Sequence, residues 1–439
     1  MRRLLGTLTA AALAATGLAT AGPAPAAAAA TGSFTVLTYN VAGLPLGLGD
    51  SDPQTNTPLI GQRLGGYDIV NVQEDFNYHA SLYAHDTHPH RTATSGGAGL
   101  GDGLNTLSDH PFEDFQRVDW NDCAGTDCLT PKGFTLARVR LAEGVFVDLY
   151  NVHTNADVTD AALAARRANI AQLSDFIQAN SAGNAVIVMG DTNTRYTRAG
   201  DTIRTLAAEN GLTDAWVRLV KGGTPPAQGG EPLLCDATAP TDDCEVVDKI
   251  LYRGNELLDL TATRYHNDWA DFLRSDGEHL SDHFPHTVGF SWRLAPALRA
   301  GDFFGGPHGT AFTDADDLPR TPAPRTLTLR GGARLDALSL THADGTVLSH
   351  GGTGGTATSL TLGAGEHLTS VKLTRGQRDG RTRIFSAAFT TDRGRTLASG
   401  TPTSDTATFT APSGWQIVGF TGRAGDEIDK LGVLYAPTG

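Results

Sequence analysis

The chain has 439 residues, 40% of them hydrophobic, with 52 glycines, four cysteines and a net charge of −14 at pH 7. That length points to two domains. The acidity, with no Lys or Arg run anywhere, argues against a nucleic-acid substrate, because phosphate binding rests on clustered cations.

Arg2 and Arg3 precede an apolar stretch from Leu4 to about Ala21, and the small residues AGPAPAAAAA follow. This is the pattern of a secretory leader over residues 1–30, with the mature chain starting near Ala30 or Thr31. Loss of its two arginines takes the net charge from −14 to −16. The apolar run is too short, and too diluted with Ala and Thr, for a membrane anchor. An extracellular product is expected, and export permits disulfides. Cys123 and Cys128 bracket one short loop and Cys235 and Cys244 another, which favours two local pairs among the three possible pairings.

Residues 31–297 alternate strand and helix patterns. Thr57-Pro58 before LIGQRLGG predicts a short helix with Pro at its first position and Gly at its end. The stretch from Thr159 places Leu163, Ile170, Leu173 and Ile177 on one helical face, and DTIRTLAAENG predicts a further helix. GVFVDLYNV, AVIVMG, VVDKILYR and HTVGFSW read as strands. Interleaved strands and helices indicate an α/β domain. Beyond Ala297 helical patterns fade, and short strands recur about every ten residues, as in an all-β domain over 298–439.

Several apolar runs close on a polar residue: Asn40, Glu74, His153, the pair Asp191 and Asn193, and the pair Asp282 and His283. Strand ends meet at a sheet edge, so these residues predict one pocket. Its oxygen donors suit a hard divalent cation, Mg²⁺ with Mn²⁺ or Ca²⁺ as alternatives. A cation with two imidazoles is equipped for phosphodiester hydrolysis. Glu74 carries most weight, since buried carboxylates are rare unless paired or metal-bound. Ser281, Asp282 and His283 supply the residue types of a serine triad. Adjacent residues cannot line up in that way, and no G-x-S-x-G elbow is present.

With TYNVAGLP, DIVNVQEDF, KGFTLARVRL, NVHTNAD, VMGDTN, VDKILYR and LSDHFPHT in that order, residues 34–290 resemble the endonuclease/exonuclease/phosphatase superfamily, closest to its secreted bacterial sphingomyelinase branch. The resemblance implies a four-layer α/β sandwich of two sheets flanked by helices. It implies that Glu74 is the principal metal ligand with Asn40 beside it, and that His153 contacts a phosphoryl oxygen. Asp191 and Asn193 would orient water and phosphate, and His283, oriented by Asp282, would be the base. Asp248 matches a family position followed here by Lys249 instead of Tyr. Trp269 and Phe272 fall where such proteins carry a lipid-contacting hairpin.

Residues 298–437 resemble a jacalin-related lectin, a β-prism of three four-stranded sheets, through GGPHGTAFTD, SHGGTGG and IVGFTGRAGDEIDKLG. Gly425 and Asp429 fit its G-x-x-x-D sugar loop, with Gly305 and Gly306 as the Gly-rich partner. The combined expectation is a secreted, monomeric, metal-dependent phosphodiesterase. Its substrate would be sphingomyelin in a phospholipid membrane, and its lectin domain would bind cell-surface glycans. A glycerophospholipid-preferring phospholipase C and a secreted nuclease are the alternatives.

Overall fold

A computed structural model describes residues 30–47, 51–97 and 100–439. Residues 1–29 of the expected leader lie outside the described residues. The strands of the first domain, in chain order, are β1 (Thr31–Asn40), β2 (Ile69–Gln73), β3 (His90–Arg91), β4 (Asn105–Ser108), β5 (Phe112–Asp119) and β6 (Gly133–Ala142). They continue with β7 (Val145–His153), β8 (Val186–Asp191), β9 (Thr213–Asp214), β10 (Asp248–Arg253), β11 (Leu258–Asn267) and β12 (His286–Leu294). They form two six-stranded sheets, ordered β11-β12-β1-β2-β4-β3 and β5-β6-β7-β8-β10-β9.

The apolar faces of the sheets meet in a core that includes Val36, Val147, Ile187, Ile250, Val288 and Phe290. Helices α1 (Pro53–Leu64) and α2 (His79–His85) close the outer face of the first sheet through Ile60, Leu64 and Leu82. The outer face of the second is covered by α3 (Asp160–Asn180), α4 (Ile203–Glu209) and α5 (Ala215–Leu219). The domain is therefore the expected four-layer sandwich. Helix α1 starts earlier than its sequence pattern indicates, at Pro53, because the Asp52 side chain caps it by accepting from the Thr55 N–H. Pro58 thus sits inside the helix instead of at its first position.

Register decides what meets at the strand ends. Parallel pairing aligns Asn40 with Gln73, so Glu74 follows directly, and aligns His153 with Asp191. Antiparallel pairing sets Asp248 against Asp191. Beneath these ends, the Gln73 amide donates to Asn151 Oδ1 at 2.7 Å, and Asn151 donates to the Val72 carbonyl at 2.9 Å. Two sheets are bridged there by buried amides in place of apolar contacts.

The second domain is all β. β13 (Arg299–Ala300), β14 (Phe304–Gly305), β15 (Thr310–Thr313), β24 (Trp415–Ala424) and β25 (Ile428–Pro437) make one sheet. The next holds β16 (Pro324–Gly331), β17 (Leu335–His342), β18 (Val347–Gly351) and β19 (Thr356–Thr361). The third holds β20 (Leu368–Arg378), β21 (Arg381–Thr391), β22 (Thr396–Gly400) and β23 (Asp405–Thr410). All three face a shared core with Leu329, Leu340, Val371, Phe389, Phe420 and Val433, the β-prism arrangement.

The prism docks at the start of β7, the end remote from His153. Asp302 takes both guanidinium nitrogens of Arg140, at 3.0 and 2.7 Å, and the Gly144 N–H at 2.8 Å. Phe303 packs edge-on against Phe146, and Lys430 reaches Asp114 at 2.7 Å. Arg138, stacked over Phe303, is buried and pairs with Asp148 at 2.8 and 3.1 Å. Burial opposes charge on Asp148, but Arg138 outweighs it and holds the carboxyl below its ordinary value. Removing one member of such a pair leaves an uncompensated buried charge. Asp148→Ala should cost about 3 kcal/mol of stability in urea denaturation of the full chain; a loss under about 0.5 kcal/mol would show that the pair contributes little.

Candidate active site

The strand ends converge on the Asp191 carboxylate. Its Oδ2 lies 3.2 Å from Asn40 Nδ2, 3.3 Å from His153 Nε2 and 3.8 Å from His283 Nε2, and its Oδ1 accepts from the Asn193 N–H at 3.0 Å. Glu74 Oε1 lies 3.1 Å from Asn40 Nδ2 and 3.8 Å from His153 Nε2. Glu74 and Asn193 both adopt left-handed backbone, at φ of 58° and 49°. Such backbone in non-glycine residues costs about 1–3 kcal/mol and concentrates at functional sites. Around Glu74, Gly43 donates to its carbonyl at 3.0 Å, and a Cβ on Gly43 would fall on that oxygen. The glycine of TYNVAGLP is there for close approach.

The two histidines are set apart electrostatically. Burial, reinforced by Lys132, pushes His153 well below the ordinary imidazole value. Burial acts the same way on His283, but the Asp248 and Asp191 carboxylates outweigh it and hold His283 well above that value. Burial also opposes charge on Asp191, and His283, His153 and Lys132 overcome it, so Asp191 stays below the usual carboxylate range. Glu74 is raised by burial, only partly relieved by the Asn40 amide and Lys132. Asp191, Asp248 and His283 bring ligand atoms within 4.8 Å of one another. A half-buried glutamate short of cations beside this cluster fits a hard divalent ion.

Three expectations are corrected by these contacts. Asn40 turns its Oδ1 to the Ala42 N–H at 3.0 Å, so its amide nitrogen faces Glu74 and Asp191. It bridges the two carboxylates and offers no oxygen to a cation. His283 Nδ1 is held by Asp248 Oδ2 at 3.0 Å, whereas Asp282 is exposed at the cleft rim. Register explains the exchange, because β10 pairs Asp248 with Asp191 under the His283 ring. Ser281 pins the turn, with its hydroxyl donating to the Asn40 carbonyl at 2.6 Å. Phe272 is 1% exposed, against Tyr39 at 5.0 Å between ring centroids, and belongs to the core. Trp269 is half-buried beside His279.

Lys132 escaped the reading by strand ends because it precedes β6. It stands in the KGFTLARVRL motif, 9% exposed, with its ammonium 2.7 Å from Asp127. Its charge acts on Glu74, His153 and Asp191. Both disulfides form as expected, Cys123–Cys128 and Cys235–Cys244. In the prism, the Gly-rich loop and the G-x-x-x-D loop come together: Gly306 donates to the Asp429 carbonyl at 2.8 Å. A Cβ on Gly309 would fall 2.6 Å from Asp429 Oδ2. The Asp429 side chain is nearly buried, 3.1 Å from Arg383, and Gly425 donates to the Glu427 carbonyl at 3.0 Å.

This architecture and cleft are of the endonuclease/exonuclease/phosphatase type. Residues 56–229 match the Endonuclease/Exonuclease/phosphatase family 2 model, and residues 302–434 match the Jacalin-like lectin domain. The chain is 42% identical over 275 residues to sphingomyelinases of Mycobacterium bovis and Mycobacterium tuberculosis, covering 60% of this chain and 53% of theirs. It thus spans about half the length of those curated relatives. Horcolin from Hordeum vulgare is 28% identical over 135 residues, covering 29% of this chain and 92% of horcolin. Sphingomyelinase C from Streptomyces griseocarneus, a solved structure, is 20% identical over 59% of this chain and 99% of its own, with a TM-score of 0.41. The chain carries an endonuclease/exonuclease/phosphatase-type domain followed by a jacalin-like lectin domain.

Two expected outcomes follow from the geometry. In metal-free protein, NMR titration should find His283 losing its proton above, and His153 below, the ordinary imidazole value of about 6.5. Coincident titrations would refute the assigned contacts. Phe272→Ala should destabilise the protein by about 3 kcal/mol in urea, as expected of a core aromatic. Unchanged stability with weaker vesicle binding would instead return Phe272 to the membrane surface.

Proposed function

We propose that this protein is a secreted, divalent-metal-dependent phospholipid phosphodiesterase that hydrolyses sphingomyelin to ceramide and phosphocholine. The observation that carries the reading is Asp191 flanked by two imidazoles of opposite protonation preference, with Glu74 facing the same cleft. The match to sphingomyelinases supports the lipid substrate, and the acidic surface disfavours the nuclease alternative. The catalytic domain is assigned to residues 31–297 and the lectin domain to 298–439.

Glu74 and Asp191 would hold the cation, with Mg²⁺ the first choice. When bound, it withdraws charge from the phosphoryl oxygens. Asn40 keeps the two carboxylates at a fixed separation, and Asn193 is aligned beside Asp191 by its left-handed backbone. Lys132 adds a positive charge for the phosphate. His153 faces the cleft through Nε2 and meets charge that develops on a phosphoryl oxygen. His283, with Nδ1 fixed by Asp248, would accept the proton of the attacking water at Nε2 in the form that has lost the proton favoured by its two carboxylates. A cation held by Glu74 and Asp191 would oppose that proton. The new P–O bond forms as the bond to the ceramide oxygen breaks, and that oxygen takes a proton from solvent. The lectin domain would tether the enzyme to glycosylated membranes, raising its effective concentration there.

Phosphocholine release from sphingomyelin vesicles, with Mg²⁺ and with EDTA, tests the proposal beside phosphatidylcholine, phosphatidylethanolamine and plasmid DNA. EDTA-sensitive release that prefers sphingomyelin is expected. Glu74→Gln and Asp248→Asn should each lower kcat at least about 100-fold while the fold is retained. DNA cleavage without lipid turnover would sink the substrate assignment, and full activity of Glu74→Gln would remove that residue from the site.

A further inference from the structure

Six large apolar side chains stand exposed among the described residues: Leu46, Leu129, Val158, Leu219, Leu234 and Val347. Val347 belongs to the prism and Leu219 to helix α5. The other four lie on loops at the cleft end of the sandwich. Leu46 follows β1 and its terminal Asn40, and Val158 follows β7 and its terminal His153. Leu129 lies between β5 and β6, and the pairing of Phe134 with Val152 sets that loop beside the end of β7. Leu234 lies at the entry to β10, since the Leu233 carbonyl accepts from the Glu245 N–H at 2.7 Å, three residues before Asp248. The turns at the far ends of β6 and β10, residues 143–144 and 254–257, expose no such side chain.

Single exposed apolar residues are ordinary, but four gathered around one cleft mark an interaction surface. Leu129 directly follows Cys128 and Leu234 directly precedes Cys235, 78% and 68% exposed, so each leucine is fixed beside a disulfide. The Leu129 loop is also tied to the Val158 loop, where Asn155 Oδ1 accepts from the Ala124 N–H at 2.7 Å. Charge on these loops has one sign. Residues 41–52, 120–131, 154–160 and 231–245 contain no Lys or Arg, while Asp122, Asp157, Asp236 and Asp243 are exposed. Such a rim is repelled by anionic headgroups and by nucleic acid, whose attraction for proteins rests on Lys and Arg. Apolar anchors set in an acidic rim therefore fit a lipid surface without net charge. A bilayer admits separated side chains, whereas a protein partner would need a matching pocket for each.

We propose that Leu46, Leu129, Val158 and Leu234 are lipid-inserting anchors that seat the cleft on a membrane of zwitterionic lipid. Phe272 belongs to the core, so these loops take the place of the expected hairpin. The inference rests on the phospholipid reading and names the surface through which the substrate is met. The anchors lie outside the catalytic residues and are exposed, so serine there spares the fold.

The test is flotation of the full chain, in EDTA, with glycan-free vesicles of sphingomyelin and phosphatidylcholine, and with the same vesicles containing phosphatidylserine. Binding to the neutral vesicles is expected, and phosphatidylserine should weaken it. Leu129→Ser/Leu234→Ser should lose at least about tenfold in vesicle affinity, since each leucine withdrawn from lipid forfeits its apolar burial. Val347→Ser, the matching change on the prism, should stay within about twofold. Parent-like binding by the double variant, an equal loss in Val347→Ser, or tighter binding to phosphatidylserine would overturn the anchors. So would leucine-dependent self-association without vesicles, which would mark the rim as a protein interface. Hydrolysis of detergent-dispersed sphingomyelin in Mg²⁺ keeps the two readings apart. Hydrolysis without vesicle binding would remove the anchors alone, vesicle binding without hydrolysis would remove the phosphodiesterase reading, and neither would remove both.

Discussion

The hydrogen bond from Gln73 to Asn151 joins the two sheets directly beneath the candidate active site, and the site depends on it. Asn40 and Glu74 follow strands of one sheet, while His153, Asp191 and Asp248 belong to the other. Carboxylates and imidazoles shift one another's proton affinity strongly within roughly 4–6 Å, so a slide between sheets would weaken their coupling. An apolar interface is non-directional and tolerates sliding. Buried amides with few alternative partners do not, because each lost bond leaves a desolvated polar group. The apolar core further down provides stability, and the amide layer sets position.

From that positional constraint follows the division of labour between the histidines. His153 is buried and His283 half-buried, and burial alone would favour the neutral form of both. Only His283 has a carboxylate on each side, Asp248 at Nδ1 and Asp191 near Nε2. His153 shares Asp191 but meets the field of Lys132. One residue type therefore takes two opposite protonation preferences through its neighbours, and the neighbours are set by strand register.

The prism is mounted at the far end of the sandwich through interactions that suit a fixed attachment. Arg140 with Asp302, Lys430 with Asp114, and Phe303 between Phe146 and Arg138 combine directional ion pairs with aromatic packing. The cleft stays open, because docking uses the end of β6, the start of β7 and their turn at Gly144, whereas the cleft lies at the opposite ends of these two strands, beside Lys132 and His153.

Much was legible in the residues themselves. Local periodicity marked the strands and helices, short Cys spacings marked the disulfides, and polar residues closing apolar runs marked Glu74, His153, Asp191 and His283 as one set. These are properties of neighbouring residues, and a sequence displays neighbours. What only the tertiary structure decided was pairing. Asp248 and not Asp282 holds His283, since β10 runs antiparallel to β8 and brings in a carboxylate 35 residues away in the chain. The Asn40 amide turns its nitrogen to the cleft because a backbone N–H two residues on claims its oxygen. Phe272 is buried because Tyr39 and Tyr67 lie above it. Lys132 joins the cleft from a loop that no periodicity describes. Hydrogen bonds and charge act over a few ångströms of space, and which residues share those ångströms is fixed by register and packing, neither of which is written locally in the chain.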